Sequence, residues 1–147
     1  MKICFDANVV IDIFSRPNWM AEGLNAYDIA NVRGFDSCLP ASTLADISYI
    51  LRRAGLDDET VSKYFEAIFE LFDILDVTGA DCMRAHRNGM KDYEDAIVAE
   101  CAARCNVDLI VTRNVRDFAS SPVPAMSPHD FAARYTPDGY SYEEAEI

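Results

Sequence analysis

The 147-residue sequence has no long apolar run and few basic residues. No apolar stretch approaches the roughly 18–20 residues that a membrane-spanning helix needs, so we expect no membrane span. Only Lys2 precedes the first strand-like segment and no small-residue cleavage site follows, so we expect no signal peptide either. Lysine and arginine number 13 against 25 acidic residues, and the net charge of −12 opposes broad, non-specific binding to nucleic acid.

Cysteine is odd in number, which does not suit a disulfide framework. The five residues are Cys4, Cys38, Cys82, Cys101 and Cys105, all in apolar surroundings. We expect reduced, buried thiols and a cytoplasmic location. Cys101 and Cys105 share a helix face, but no further cysteine or histidine lies at the spacing of a zinc site.

Glycine is missing from the turn after the first predicted strand. The chain begins MKICFDANVVID, in which the short apolar run at residues 3–5 predicts a buried strand and the residues from Asn8 onward are apolar at helical spacing. A dinucleotide-binding fold needs glycines between such a strand and its helix. Asp6 stands there instead, at the strand end where open parallel sheets bind their ligands.

Strands and helices alternate along the chain, which predicts one α/β domain with a central parallel sheet of four or five strands and helices on both faces. The predicted strands are 3–5, 35–39, 74–77, 109–112 and, as a short fifth, 123–126. The predicted helices are 8–14, 19–32, 44–53 with Ser42 as N-cap, 61–71, 81–87, 93–105 and 129–135. We expect the domain to span residues 1–135 and an acidic, flexible tail to span 136–147.

Acidic residues follow the predicted strands or begin the helices after them. They are Asp6, Asp46, the pair Asp92 and Asp95, and Asp117. Because the carboxyl ends of parallel strands share one sheet edge, we expect these side chains to converge. Converging carboxylates repel one another unless they take up protons or bind a hard cation. Mg²⁺ or Mn²⁺ prefers oxygen ligands, polarises phosphoryl oxygens and lowers the pKa of a bound water, which is the chemistry of phosphodiester hydrolysis.

Each acid also has a structural interpretation. Asp6 suits a helix N-cap, and capping is the role we favour for Asp92. Asp46 suits the positive end of a helix dipole, and Asp117 suits an ordinary turn. Asp95 differs, because small and apolar neighbours would place its helix face on the sheet, and we therefore predict a ligand role for it.

Two stretches resemble the PIN-domain family of nucleases, and most closely its VapC-like toxins. FDANVVID at 5–12 resembles the opening segment of the family. DYEDAIVAECAARCNVDLIVTRNVRDF at 92–118, followed by SPHDF at 127–131, resembles a common PIN pattern. The resemblance runs from residue 1 to about 135. It implies a three-layer fold in which Asp6 is the first metal-binding acid and Asp95 the third.

Two positions depart from the family pattern. The second acid is usually glutamate, whereas STLADISYILRR at 42–53 offers Asp46, which is one methylene shorter. The fourth position is often aspartate, and Asn114 stands there, so either its carbonyl oxygen or Asp117 completes the site. The predicted metal ligands are therefore Asp6, Asp46 and Asp95 with Asn114 or Asp117, and the four aspartates are the predicted catalytic residues.

The resemblance implies a Mg²⁺- or Mn²⁺-dependent endoribonuclease that is the toxin of a type II toxin–antitoxin pair, with RNA as substrate. It also implies a homodimer and an antitoxin protein as partner. We expect Asn8, Asp92, Thr112, Arg113 and Arg116 to contact RNA or support the ligands. Thr112 could equally pack at a strand end, and Asp12 is either a supporting group or a solvated acid. Arg113 and Arg116 flank the loop that contains Asp117, which favours contact with RNA. The alternative is that they are ordinary solvated residues scattered on the surface.

Other classes fit less well. A haloacid-dehalogenase-type phosphatase needs a second aspartate two residues after Asp6, where Asn8 stands. A receiver domain needs paired acids and a lysine after its last strand, and neither is evident. Two alternatives stay open: a catalytically silent PIN-like module that binds protein or RNA, and a housekeeping RNA-processing nuclease.

Overall fold

The sheet has five parallel strands in the order β3-β2-β1-β4-β5 in a computed structural model that describes residues 1–15 and 17–140. The strands are β1 (Lys2–Phe5), β2 (Asp36–Pro40), β3 (Asp73–Leu75), β4 (Leu109–Val111) and β5 (Ala125–Met126). Every neighbouring pair is parallel. The predicted α/β fold with a parallel sheet is confirmed, and β1 occupies the central position.

The helices are α1 (Ala7–Ser15), α2 (Pro17–Val32), α3 (Ala41–Arg53), α4 (Asp58–Leu71), α5 (Gly79–Arg87), α6 (Tyr93–Arg104) and α7 (Pro128–Tyr135), with a 3-10 helix at Val115–Phe118. None of those in the described residues is long and apolar enough to cross a membrane. The predicted tail begins with a turn in which Tyr140 packs against the core, and residues 141–147 lie outside the described part.

Alternating side chains of β1 divide the core between the two faces of the sheet, as the pleat of a strand requires. Ile3 and Phe5 pack in a cluster with residues of α1, α2, α3, α4 and α7. Cys4 points to the other face, into a smaller cluster that includes residues of α6. Because helices cover both faces, β4 is buried along its whole length, and the fold has three layers.

Several helix starts agree with prediction and one does not. Asp92 caps α6 by accepting from the backbone N–H of Asp95 at 3.0 Å, and Ser127 caps α7 ahead of Pro128. Ser42 does not cap α3, because the helix begins at Ala41 directly after Pro40, whose φ of −67° already suits the entry to a helix. Asp46 therefore lies in the second turn of α3, where the helix dipole favours an acid less.

The five cysteines are free thiols, as predicted. Cys4, Cys38 and Cys101 are buried, whereas Cys82 and Cys105 are only half-buried, so the prediction of uniformly buried thiols is wrong for two of them. Both half-buried residues lie near helix ends, Cys82 early in α5 and Cys105 as the residue that ends α6.

Candidate functional site

Asp6 directly follows the central strand β1 and is held by four hydrogen bonds. Its backbone N–H donates to the carbonyl of Val111 at 2.9 Å, which extends the ladder between β1 and β4 by one residue. Its Oδ2 accepts from the Thr112 hydroxyl at 2.7 Å and from Asn8 Nδ2 at 3.2 Å, and its Oδ1 accepts from the N–H of Ala7 at 2.9 Å. Burial raises the pKa of Asp6 although these hydrogen bonds oppose the shift.

Asn8 and Thr112 support the Asp6 carboxylate. Asn8 Nδ2 reaches Thr112 Oγ1 at 3.4 Å, and Asn8 Oδ1 accepts from the backbone N–H of Arg113 at 3.2 Å. Thr112 is fully buried and its oxygen accepts from the N–H of Asn114 at 3.0 Å. The two side chains thus join the end of β1 to the loop after β4, and the Thr112 hydroxyl donates to Asp6.

Asp46 and Asp95 are half-buried and lie near other carboxylates. Burial, then the negative charges of Glu94 and Asp6, raise the pKa of Asp46 to about 6. Burial, then the charges of Asp6 and Asp92, raise the pKa of Asp95 to about 7. Since charges shift one another strongly only at short range, α3, α6 and β1 bring their acids to one place at the sheet edge.

Asp117 also belongs to this group of acids. It is exposed in the 3-10 helix after β4, where its N–H donates to the carbonyl of Asn114 at 3.0 Å. Its negative charge contributes to the raised pKa of Asp6 and to that of Asp95. Asn114 is exposed on the same loop, and its side chain makes no capping hydrogen bond to the 3-10 helix.

Glu94 is the member of the group that the sequence did not single out. It lies in the first turn of α6 between Asp92 and Asp95, and after burial its negative charge contributes most to the raised pKa of Asp46. Neighbouring negative charges disfavour the ionised form of a carboxyl group. The signal available in the sequence was an acid in a helix first turn, which does not tell which residue faces α3.

The acids form a loose group and do not surround a single point. Among residues 1–15 and 17–140, no three carboxylate, imidazole or thiol groups lie close enough together to hold a metal ion as they stand. The donor chemistry nevertheless fits a hard divalent cation, because the group offers only oxygen ligands and its members repel one another.

Arg113 makes an ion pair that the sequence did not predict. Its Nε lies 2.5 Å from Oδ2 of Asp12 on α1, and Asp12 is buried. A buried carboxylate needs a counterion, and Arg113 supplies it from the loop after β4. Asp12 is therefore not a solvated acid, and the Arg113 guanidinium is occupied within the protein, which does not support the predicted contact with RNA.

A pocket of about 460 Å³, here called the side pocket, lies beside the acids. It is lined by residues 89–92 from the loop before α6 and by Arg116, Asp117, Ala119 and Ser120 from the segment after β4. Asp92 and Asp117 belong to both the side pocket and the acidic group, so the two are continuous. Arg116 is exposed on this wall, next to Asp117 in the lining.

A model of the PIN domain matches residues 2–116. The fold is similar to VapBC2 from Rickettsia felis bound to a promoter DNA fragment, with a TM-score of 0.69, 15% identity and coverage of 86% of this chain and 98% of that chain. It is also similar to VapBC-1 from nontypeable Haemophilus influenzae, with a TM-score of 0.65, 17% identity and coverage of 88% and 99%. A third similar structure is FitAcB from Neisseria gonorrhoeae, with a TM-score of 0.63, 19% identity and coverage of 86% of this chain and 98% of that chain. No curated protein matches the sequence.

Proposed function

Because the chain belongs to the PIN-domain family of nucleases, we propose that it is a metal-dependent endoribonuclease that hydrolyses RNA phosphodiester bonds. The observation that supports this most is the placing of Asp46 and Asp95, both with raised pKa values, beside buried Asp6 at the carboxyl edge of the sheet. Perturbed carboxylates in a cleft are typical of a catalytic or metal-binding site.

We assign Asp6, Asp46 and Asp95 as ligands of Mg²⁺ or Mn²⁺, with Asp117 or Asn114 completing the set. A bound divalent ion would polarise a phosphoryl oxygen and lower the pKa of a water. The chain's own contribution is to fix the ligands: Thr112 and Asn8 orient the Asp6 carboxylate, and the Asp92 cap fixes the first turn of α6. Glu94 adds negative charge next to Asp46.

We further propose that the chain is the toxin of a type II toxin–antitoxin pair in the cytoplasm, with a homodimer as its working form. Two of the similar structures are named VapBC and another is a toxin–antitoxin complex from Klebsiella pneumoniae. The net charge of −12 would complement a basic segment of an antitoxin. A small basic protein encoded next to this gene would support the pairing, whereas its absence would favour a housekeeping role in RNA processing.

The test of the nuclease proposal is cleavage of single-stranded RNA with added Mg²⁺ or Mn²⁺. Asp6→Asn and Asp95→Asn should each lower the rate by about 100-fold or more, because metal ligands matter at least as much as the groups that orient them. Asp138→Asn, a matched change at an exposed residue of the C-terminal turn, should leave the rate unchanged. Circular dichroism spectra should show that all three variants are folded, and cleavage that survives chelation would overturn the proposal.

Titration calorimetry with Mn²⁺ separates this function from a catalytically silent PIN-like module. The proposed enzyme should bind the ion with an affinity that Asp95→Asn weakens by about tenfold or more. A silent module would give no binding heat for either protein.

A further inference from the structure

The side pocket has basic residues on both of its walls. Lys91 is exposed on the loop before α6, and Arg116 is exposed on the 3-10 helix after β4. Neither takes part in an ion pair within the described residues. Other arginines of the chain are neutralised: Arg52 by Asp58, Arg84 and Arg104 by Asp81, and Arg113 by Asp12. Asp92 and Asp117 also line the side pocket, but within the described residues neither forms an ion pair with Lys91 or Arg116, so both cations are available for an anion from outside.

The wall that carries Lys91 is anchored to α6. Asn88 Nδ2 donates to Glu100 Oε1 at 3.2 Å, and Asn88 Oδ1 accepts from the backbone N–H of Met90 at 2.9 Å. Gly89 lies between them with a φ of 81°, a conformation that L side chains rarely adopt, so it allows the tight turn. The loop is thereby fixed in the fold, which lowers the entropy lost when a ligand binds.

The opposite wall is fixed through Phe118, which is buried in the core under the 3-10 helix. Arg116 is therefore presented from a short element whose end is pinned. Met90 and Ala119 add apolar surface to the same pocket. A volume of about 460 Å³ lies within the range of pockets that take a single small ligand.

We infer that the side pocket binds one unpaired nucleotide of an RNA strand next to the bond that is cut, with its phosphate between Lys91 and Arg116. This inference rests on the proposed nuclease function. Phosphates are held by lysine and arginine, while bases pack on apolar surface. Because Asp92 and Asp117 belong to both the side pocket and the acidic group, a nucleotide in the pocket would bring the neighbouring phosphate toward the proposed metal ligands. Only an unpaired nucleotide can enter a recess of this kind.

The contact also explains how an acidic protein can hold RNA. The overall electrostatic field of a protein with net charge −12 does not attract RNA. Binding then depends on a few local cations, so removing either of the two at the side pocket should have a large effect. Cations elsewhere on the surface should have little.

The test is the salt dependence of binding to a short, fluorescently labelled single-stranded RNA, measured in the Asp6→Asn background to prevent cleavage. For single strands, log affinity falls as log salt rises, and each lost phosphate contact reduces the steepness of this fall by about 0.7. At about 0.1 M salt this corresponds to roughly a fivefold loss of affinity. Lys91→Ala and Arg116→Ala should each show this loss. Lys63→Ala is the matched control, because Lys63 is exposed on α4 and forms an ion pair with Glu59 on the same helix.

Slopes for Lys91→Ala and Arg116→Ala that equal the Lys63→Ala slope would overturn the inference. If the unaltered protein still cleaves RNA, the nuclease proposal survives that result. If the unaltered protein does not cleave RNA but Lys91→Ala and Arg116→Ala each reduce the salt dependence as expected, the nuclease proposal fails and the nucleotide site stands. A duplex of the same sequence that binds equally tightly and loses the same slope would also contradict an unpaired nucleotide.

Discussion

The side-chain amide of Asn8 contacts three groups, one at the end of β1 and two in the segment directly after β4. It donates to Asp6 and Thr112 and accepts from the backbone of Arg113. Thr112 completes the arrangement by donating to Asp6 and accepting from Asn114. At the scale of single residues, the geometry of the site is therefore set by neutral hydrogen-bonding groups behind the acids.

Thr112→Val tests this support. The change keeps the shape of the side chain but removes the donor to Asp6 and the acceptor for Asn114, and loss of such buried partners costs about 1–3 kcal/mol of unfolding free energy. RNA cleavage should fall about 10–100-fold, the range for groups that orient metal ligands. Thr112→Ser, which keeps the hydroxyl, should retain most of the activity. Equal loss in both variants, by urea unfolding and cleavage assays, would assign Thr112 to packing alone.

Arg113→Met tests the pairing with Asp12. Removing one partner of a buried pair leaves the other charge uncompensated, and we expect a loss of about 3 kcal/mol in urea unfolding, at the lower end because Arg113 is partly exposed. The double variant with Asp12→Leu should recover much of that loss. A single variant as stable as the unaltered protein would contradict the counterion role, and Arg134→Met on α7 serves as an exposed control.

At the scale of elements, α6 carries Asp95 and is tied to α5 by charge. Asp81 is fully buried and accepts from Arg104 Nε at 2.9 Å, from Arg84 Nη2 at 2.5 Å and from the N–H of Thr78 at 3.0 Å. Burial alone would raise the pKa of Asp81, but the hydrogen bonds from Arg104 and Thr78 lower it to about 2. This link holds the C-terminal end of α6 while Asp92 caps the other end.

Acid unfolding should reveal the Asp81 link. A carboxyl group whose pKa is lower in the folded state contributes stability at pH above its unfolded value of about 4, and that contribution is lost as the pH falls toward 2. The unaltered protein should therefore lose more unfolding free energy between about pH 4 and pH 2 than Asp81→Asn does. Asp138→Asn, an exposed change in the C-terminal turn, should keep the full pH dependence, and an identical curve for Asp81→Asn would contradict the link.

At the scale of the whole molecule, the acids at the sheet edge add to an already negative protein. Asp46 and Asp95 have folded pKa values of about 6 and about 7, above their unfolded values. The folded state therefore binds more protons than the unfolded state between about pH 4 and pH 7, and stability falls as the pH rises through that window.

Thermal unfolding without divalent ions should accordingly give a higher midpoint at pH 5 than at pH 7.5. Added Mn²⁺ should raise the midpoint more at pH 7.5, since protons compete with the ion at lower pH. Asp95→Asn should flatten both effects, and Asp138→Asn should not. A stabilisation by Mn²⁺ that is independent of pH would contradict binding at these carboxylates.

The features that could be predicted from the sequence are those that depend on a single stretch of the chain. The position of Asp6 at the end of a buried strand and the capping role of Asp92 both follow from local spacing. The partners of Glu94 and Arg113 could not be predicted, because they depend on how α3 meets α6 and how α1 meets the loop after β4. Ser42 failed as a cap because the strand before it runs directly into the helix at Pro40.

The hydrogen bond between Asp6 and Thr112 joins residues that are 106 positions apart. During synthesis Asp6 leaves the ribosome long before β4 can pair with β1. Until that pairing forms, Asp6 lacks both the Thr112 hydroxyl and the Val111 carbonyl as hydrogen-bond partners. A nascent or truncated chain that ends before β4 is consequently unable to assemble the acidic edge. The acidic edge therefore forms only after β4 has been synthesised and has paired with β1.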